Sequence, residues 1–148
     1  MPFTDAVYQA RLSDLVVHEI DPSVGYSRRD INVTAGTELQ IGAVVFRAKT
    51  ADLAAPYAPV TAVGNLVDTN EFAVIYGDQF SFNPSFTTRA IAAGQYNAVG
   101  FVGTSGGLQL KEYYIKQRIV TDAGLTEGNF STLKGLLEAQ GIQVLKTL

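Results

Sequence analysis

Apolar residues in this chain come in short runs, each halted by turn-forming residues before a long helix could develop. Leu15-Val16-Val17 and Ile20 stop at Asp21-Pro22-Ser23, Ile31 and Val33 stop at Ala35-Gly36-Thr37, and residues 71–76 stop at Gly77-Asp78. β-Favouring runs at spacings of about 8 to 12 residues read as many short strands. One segment breaks the rule. Leu133, Leu136 and Leu137 recur at helical spacing before Gly141, and Asn129-Phe130-Ser131-Thr132 offers capping groups. This predicts a helix near the C-terminus, followed by a strand over 142–145. The expected fold class is α+β, mainly β: a small barrel-like or sandwich-like domain of short strands with one C-terminal helix and an extended N-terminal arm.

Finer divisions follow from the same pattern. Residues 1–28 are expected to form an arm and loop, with 24–30 exposed, and residues 29–148 a β-rich domain. Ile31 and Val33, the turn at Ala35-Gly36-Thr37, then Leu39 and Ile41 read as strand, turn and strand. The wholly apolar run 43–46 suits a strand covered on both faces, or a bulge at Gly42. Residues 49–59, with Pro56 and Pro59, are expected to be a surface loop. Further strands are expected over 60–67, 71–76, 80–86, 96–102 and 112–120. Thr104-Ser105-Gly106-Gly107 reads as a hairpin turn into Leu108-Gln109-Leu110.

The residue inventory bears on chemistry. Among 148 residues there is no cysteine and one histidine, His18. A thiolate metal site and a cysteine nucleophile are thereby excluded. His18 and Glu19 are neighbours on an expected strand and face opposite ways, so they do not build a catalytic pair. Ser131 and Lys134 match S-x-x-K in letters, yet the serine sits at a helix start and no partner motif accompanies it. Asp68, Glu71 and Asp78 read as turn carboxylates, since no acidic calcium-loop spacing is present. Asn32 and Asn129 stand in glycosylation triplets, which have meaning only on a secreted chain. No catalytic, cofactor-binding or metal-binding residue is expected, and no enzyme.

Eleven Lys and Arg against fourteen Asp and Glu give a net charge of −3. The adjacent pair Arg28-Arg29 is too short for a polyanion patch, so no nucleic-acid partner is expected. No apolar run approaches the roughly 18 residues of a membrane span, and Met1-Pro2-Phe3-Thr4-Asp5 does not resemble a secretory signal. Synthesis in the cytoplasm is expected, with any exit as part of something larger. Phe72, Tyr76, Phe80, Phe82 and Phe86 cluster in sequence, and Tyr113-Tyr114 follow later. Without positive charge around them they suit core or subunit packing better than base stacking. Phe80, Phe82, Phe86, Tyr113 and Tyr114 are the candidate subunit-interface residues.

Ile31-Asn-Val-Thr-Ala-Gly36, Leu39-Gln-Ile-Gly42-Ala-Val-Val45, Ile119-Val-Thr-Asp-Ala-Gly-Leu125 and the closing Leu133-Lys-Gly-Leu-Leu-Glu-Ala-Gln-Gly-Ile-Gln-Val144 carry turn and packing signatures. Together they resemble the lambda-type head decoration proteins of tailed bacteriophages. The resemblance spans roughly residues 31 to 148, with a middle, 49–103, longer than the family's usual pattern. It implies a homotrimeric cement protein on the exterior of the virion capsid, with the major capsid protein as partner and no cofactor. In that family the N-terminal segment pairs with shell strands. Carried over here, the arm residues are Phe3, Val7, Tyr8, Leu12, Leu15, Val16, Val17 and Ile20, with Leu15 to Val17 joining the shell by strand addition. Other classes fitting the same residues are a phage neck, tail or baseplate protein, and a ligand-binding β-domain with a polar pocket.

Overall fold

The computed structural model describes residues 15–18, 28–50, 55–77, 85–90, 96–102 and 108–146. These form a mainly β, α+β domain. Its centre is a five-stranded antiparallel sheet in the order β2-β8-β6-β4-β5, built from Arg28–Ile31 (β2), Val44–Ala48 (β4), Ala58–Pro59 (β5), Asn70–Gly77 (β6) and Ala98–Phe101 (β8). Val33, just past β2, forms a bridge with Tyr57, just before β5, so the two edges of the sheet meet at one point and the sheet curls into a small barrel. A second sheet has the order β1-β9-β10: Val16–His18 (β1) runs antiparallel and Ile142–Leu145 (β10) parallel to Leu108–Lys111 (β9). Glu38–Gln40 (β3) and Ser85–Thr87 (β7) make a separate two-stranded ribbon.

Alternation along β6 sorts its side chains between two cores. Phe72 and Val74 face outward from the barrel, where they meet Val44, Phe101, the second sheet (Leu108, Leu110, Ile142, Val144) and the helices. Ala73 and Ile75 face inward to Ile31, Val33, Val45, Tyr57 and Ala98. The inner space is tight. A Cβ on Gly100 would lie 3.0 Å from Ile31 Cδ1 and 3.2 Å from the Ala73 Cβ. Two amide side chains finish the ladders where strands run out. Asn97 accepts from Val33 N–H (2.8 Å) and donates to Val33 C=O (2.7 Å), extending β8 by one rung. Gln140 does the same beyond the other end of β8, accepting from Phe72 N–H at 2.8 Å and donating to the Phe72 and Val102 carbonyls.

The expected C-terminal helix is present as α2, Glu127–Ala139, once Glu112–Lys116 is labelled α1. Its cap lies earlier than the 129–132 cluster suggested. Thr126 Oγ1 accepts from Asn129 N–H (3.1 Å) while Thr126 N–H donates to Asn129 Oδ1 (3.0 Å), a reciprocal box that uses Asn129 as its far member. Gly141, with φ +93°, ends the helix as expected.

Several expected strands take other forms. Residues 112–120 are helical: α1 continues into a wide π turn over Gln117–Asp122. Their β-branched composition is overridden by topology, because β10 lies parallel to β9 and a parallel return needs a crossover. Ile115 and Ile119, four apart, both enter the outer core. Gly42, with φ +87°, lets this helix settle onto the turn before β4; a Cβ there would lie 3.0 Å from the Tyr114 Cβ. The expected pairing of residues 31–33 with 39–41 does not occur, since β2 pairs with β8 and β3 with β7. Thr88 ties down the intervening turn, its C=O accepting from Gly36 N–H and its hydroxyl donating to Thr34 C=O. Residues 28–30, expected in an exposed loop, are strand β2. Residues 60–67 form a short 3-10 turn, Val63–Asn65, where Asn65 Oδ1 accepts from the Thr61 and Ala62 amides in place of a ladder. Residues 58–59 are an edge strand, where Pro59 is tolerated. The Thr104-to-Gly107 turn lies outside the described residues, and the strands flanking it, β8 and β9, belong to different sheets.

Candidate functional site

Two places on this framework carry groups placed to bind something. The first is the root of the N-terminal segment. β1 pairs with β9 through Val16↔Leu110 and His18↔Gln109 with a register shift between them, and it is the outermost strand of its sheet. Leu15 is fully buried in the outer core, and Val16 is half-buried against it. The reading of Leu15 as a shell-contacting arm residue is therefore corrected: its side chain is committed to this chain's own core. Within the expected arm, β1 is a strand of the second sheet, and β2 begins at the expected boundary, residue 28. Val17 lies within β1, and Phe3, Val7, Tyr8, Leu12 and Ile20 lie outside the described residues.

The second place is a groove of about 600 Å3 beside β2, lined by Arg29, Asp30, Asn32, Arg47, Tyr57 and Tyr96, among others. Among the described residues the barrel edges meet only at Val33 and Tyr57. The Asn32 carbonyl and Thr34 amide turn away from β8 and are taken by Tyr57 N–H (2.7 Å) and C=O (3.0 Å). Two residues back, Asp30 presents its peptide groups to the same side, where no strand pairs with them among the described residues. Arg47 forms one wall. Its side chain is only 9% exposed, paired with Glu71, donating to Ala55 C=O at 3.1 Å and stacked 4.5 Å from the Tyr57 ring centre.

Burial raises the Tyr57 hydroxyl above its ordinary pKa of 10.0, with the Glu71 carboxylate adding to the rise and the Arg47 and Arg29 guanidiniums opposing it. The phenol thus stays a hydrogen-bond donor at neutral pH. Arg29 is exposed and has no paired carboxylate among the described residues. Asn32 Oδ1 is sealed from solvent with no hydrogen-bond partner.

Both members of the Arg28-Arg29 pair line the groove, and Arg28 is also stacked on the rings of Tyr76 (4.7 Å) and Phe101 (5.8 Å). Composition alone gave no signal for this, because Arg47 and Tyr57 are remote in sequence and meet only through the β4–β5 pairing. A second cleft of about 530 Å3, between the β3–β7 ribbon and the π turn, is lined by Leu39, Phe86, Arg118 and Asp122. There Arg118 and Asp122 neutralise one another.

The remaining candidates scatter. Phe86 is half-buried against the inner core, and Phe80 and Phe82 lie outside the described residues. Tyr114 packs on the outer core and meets Tyr113 edge-to-face at 5.1 Å, leaving Tyr113 64% exposed. Ser131 is an exposed residue of α2, and Lys134 approaches Glu112 at 3.9 Å. Glu71 is the partner of Arg47, and Asp78 lies outside the described residues. Among the described residues no three His, Asp or Glu cluster to hold a metal, and no helix is long and apolar enough to cross a membrane. Comparison of the chain with family models, curated proteins and solved structures finds no match.

Proposed function

We propose that this chain is a structural protein of a phage virion that binds the outer surface of the mature capsid as a decoration or cement protein. The major capsid protein is its partner, the homotrimer its working form, and no catalysis is involved. The observation that carries this reading is the edge position of β1, the strand that follows the N-terminal segment in sequence. The apolar-studded residues Phe3, Val7, Tyr8 and Leu12 lead into β1, an outer strand whose root is fixed by the buried Leu15. The outer edge of β1 has no pairing strand among the described residues. A strand edge unpaired among the described residues, preceded in sequence by an apolar segment, suits strand addition to another protein. The paired rings of Tyr113 and Tyr114 supply an aromatic surface of the kind subunit contacts favour.

Cementing needs no reaction. A protein that binds the assembled shell and not its separated parts stabilises the shell by mass action, and repetition over many sites multiplies the effect. Stripped, DNA-filled heads are expected to release DNA at a lower temperature than heads to which the purified protein has been added back. Equal release temperatures, with the protein bound or unable to bind, would refute the role.

A further inference from the structure

The groove beside β2 is not used by the cementing role as described, and its chemistry points to a ligand of its own. We infer that it is a docking site for an acidic, extended peptide segment of a partner protein, which adds to the free edge of β2 and places a carboxylate on Arg29. Two observations converge. No strand among the described residues pairs with the Asp30 side of β2, so a strand laid there gains backbone hydrogen bonds with no rearrangement of the described sheet. Charge is complementary: in a chain of net charge −3, this groove offers at Arg29 an exposed guanidinium with no paired carboxylate among the described residues, and it is lined by the Tyr57 ring against which the Glu71-paired Arg47 is stacked.

An isolated small anion would meet Arg29 but leave the strand edge unsatisfied. A basic peptide would meet Arg29 with the wrong sign. Asp30 on the rim adds discrimination, because it repels a second carboxylate placed directly beside β2 and favours acidic residues spaced two apart along the strand.

The inference does not depend on the capsid reading, since peptide binding is measured on the free chain. The probe is an end-blocked, fluorescein-labelled peptide of about six residues alternating Val and Glu, the length of a short added strand, followed by anisotropy against the full-length protein at low salt. The expected result is saturable binding that weakens as salt rises, about ten-fold loss on Arg29→Glu with partial retention in Arg29→Lys, and loss when alternate backbone amides of the peptide are N-methylated. Arg29 is exposed on an edge strand, so its variants are expected to melt with the parent. Absence of binding at millimolar peptide, equal binding of the Val-Lys counterpart, equal affinity of Arg29→Glu, indifference to N-methylation, or full displacement by succinate at equal concentration would each overturn the proposal.

Discussion

On its outward side the five-stranded sheet carries Phe72, Val74 and Phe101, large side chains buried beneath α1, α2 and the second sheet, whereas on the inward side the small residues Ala73, Ala98 and Gly100 make room for Ile31, Val45, Tyr57 and Ile75. The outer face gains its stability from apolar area, which scales with the surface removed from water. The inner face gains it from fit: small residues let the barrel close, and Asn97 completes the ladder where a strand would not fit. Where that closure stops, at the Val33–Tyr57 bridge, the barrel opens into the groove with Arg29, Arg47 and Tyr57. The larger apolar core thus lies on one side of the sheet, and the polar groups of the groove lie where the other side opens.

Substitutions can break this contrast. Phe101→Ala empties a fully buried outer site and is expected to cost about 3–5 kcal/mol, read as a fall of roughly 10 °C in the melting midpoint. Gly100→Val, one residue away and facing inward, is expected to cost about 1–3 kcal/mol by overfilling the barrel against Ile31 and Ala73. A Gly100→Val protein as stable as the parent would show that the inner face is not tightly packed. The smallest effect is confined to alkaline pH. Because the Tyr57 pKa is raised in the fold, the unfolded chain ionises first, so stability is full below pH 10.0 and falls as pH rises through and beyond it. Tyr57→Phe is expected to flatten part of that slope in denaturant titrations at successive pH values. An unchanged slope would place the Tyr57 hydroxyl in water.

Strand existence was legible where burial and alternation agree, as along β6, and at β10 and α2, where local spacing and a glycine stop coincide. Pairing was not. The turn at Ala35-Gly36 looks like a hairpin because the signal for one is local, yet its partner, Thr88, is far along the chain. The helical path of residues 112–120 is likewise imposed by the parallel placement of β10, which no composition of Tyr, Ile and Val encodes. The groove was hidden for the same reason: it is assembled from β2, β4 and residue 57, and only the closed barrel brings them together. The arm was legible as an apolar segment, but the commitment of Leu15 to the core required knowing that β1 pairs with β9.

That commitment defines the decisive truncation. A chain lacking residues 1–14 keeps Leu15, β1 and every described member of the outer core, and is expected to melt within about 1 °C of the full chain. Sedimentation of both proteins with stripped capsids is the direct measurement: the account predicts that the full chain co-sediments and the truncated chain stays in the supernatant, whereas equal co-sedimentation of the two would contradict attachment through the N-terminal segment.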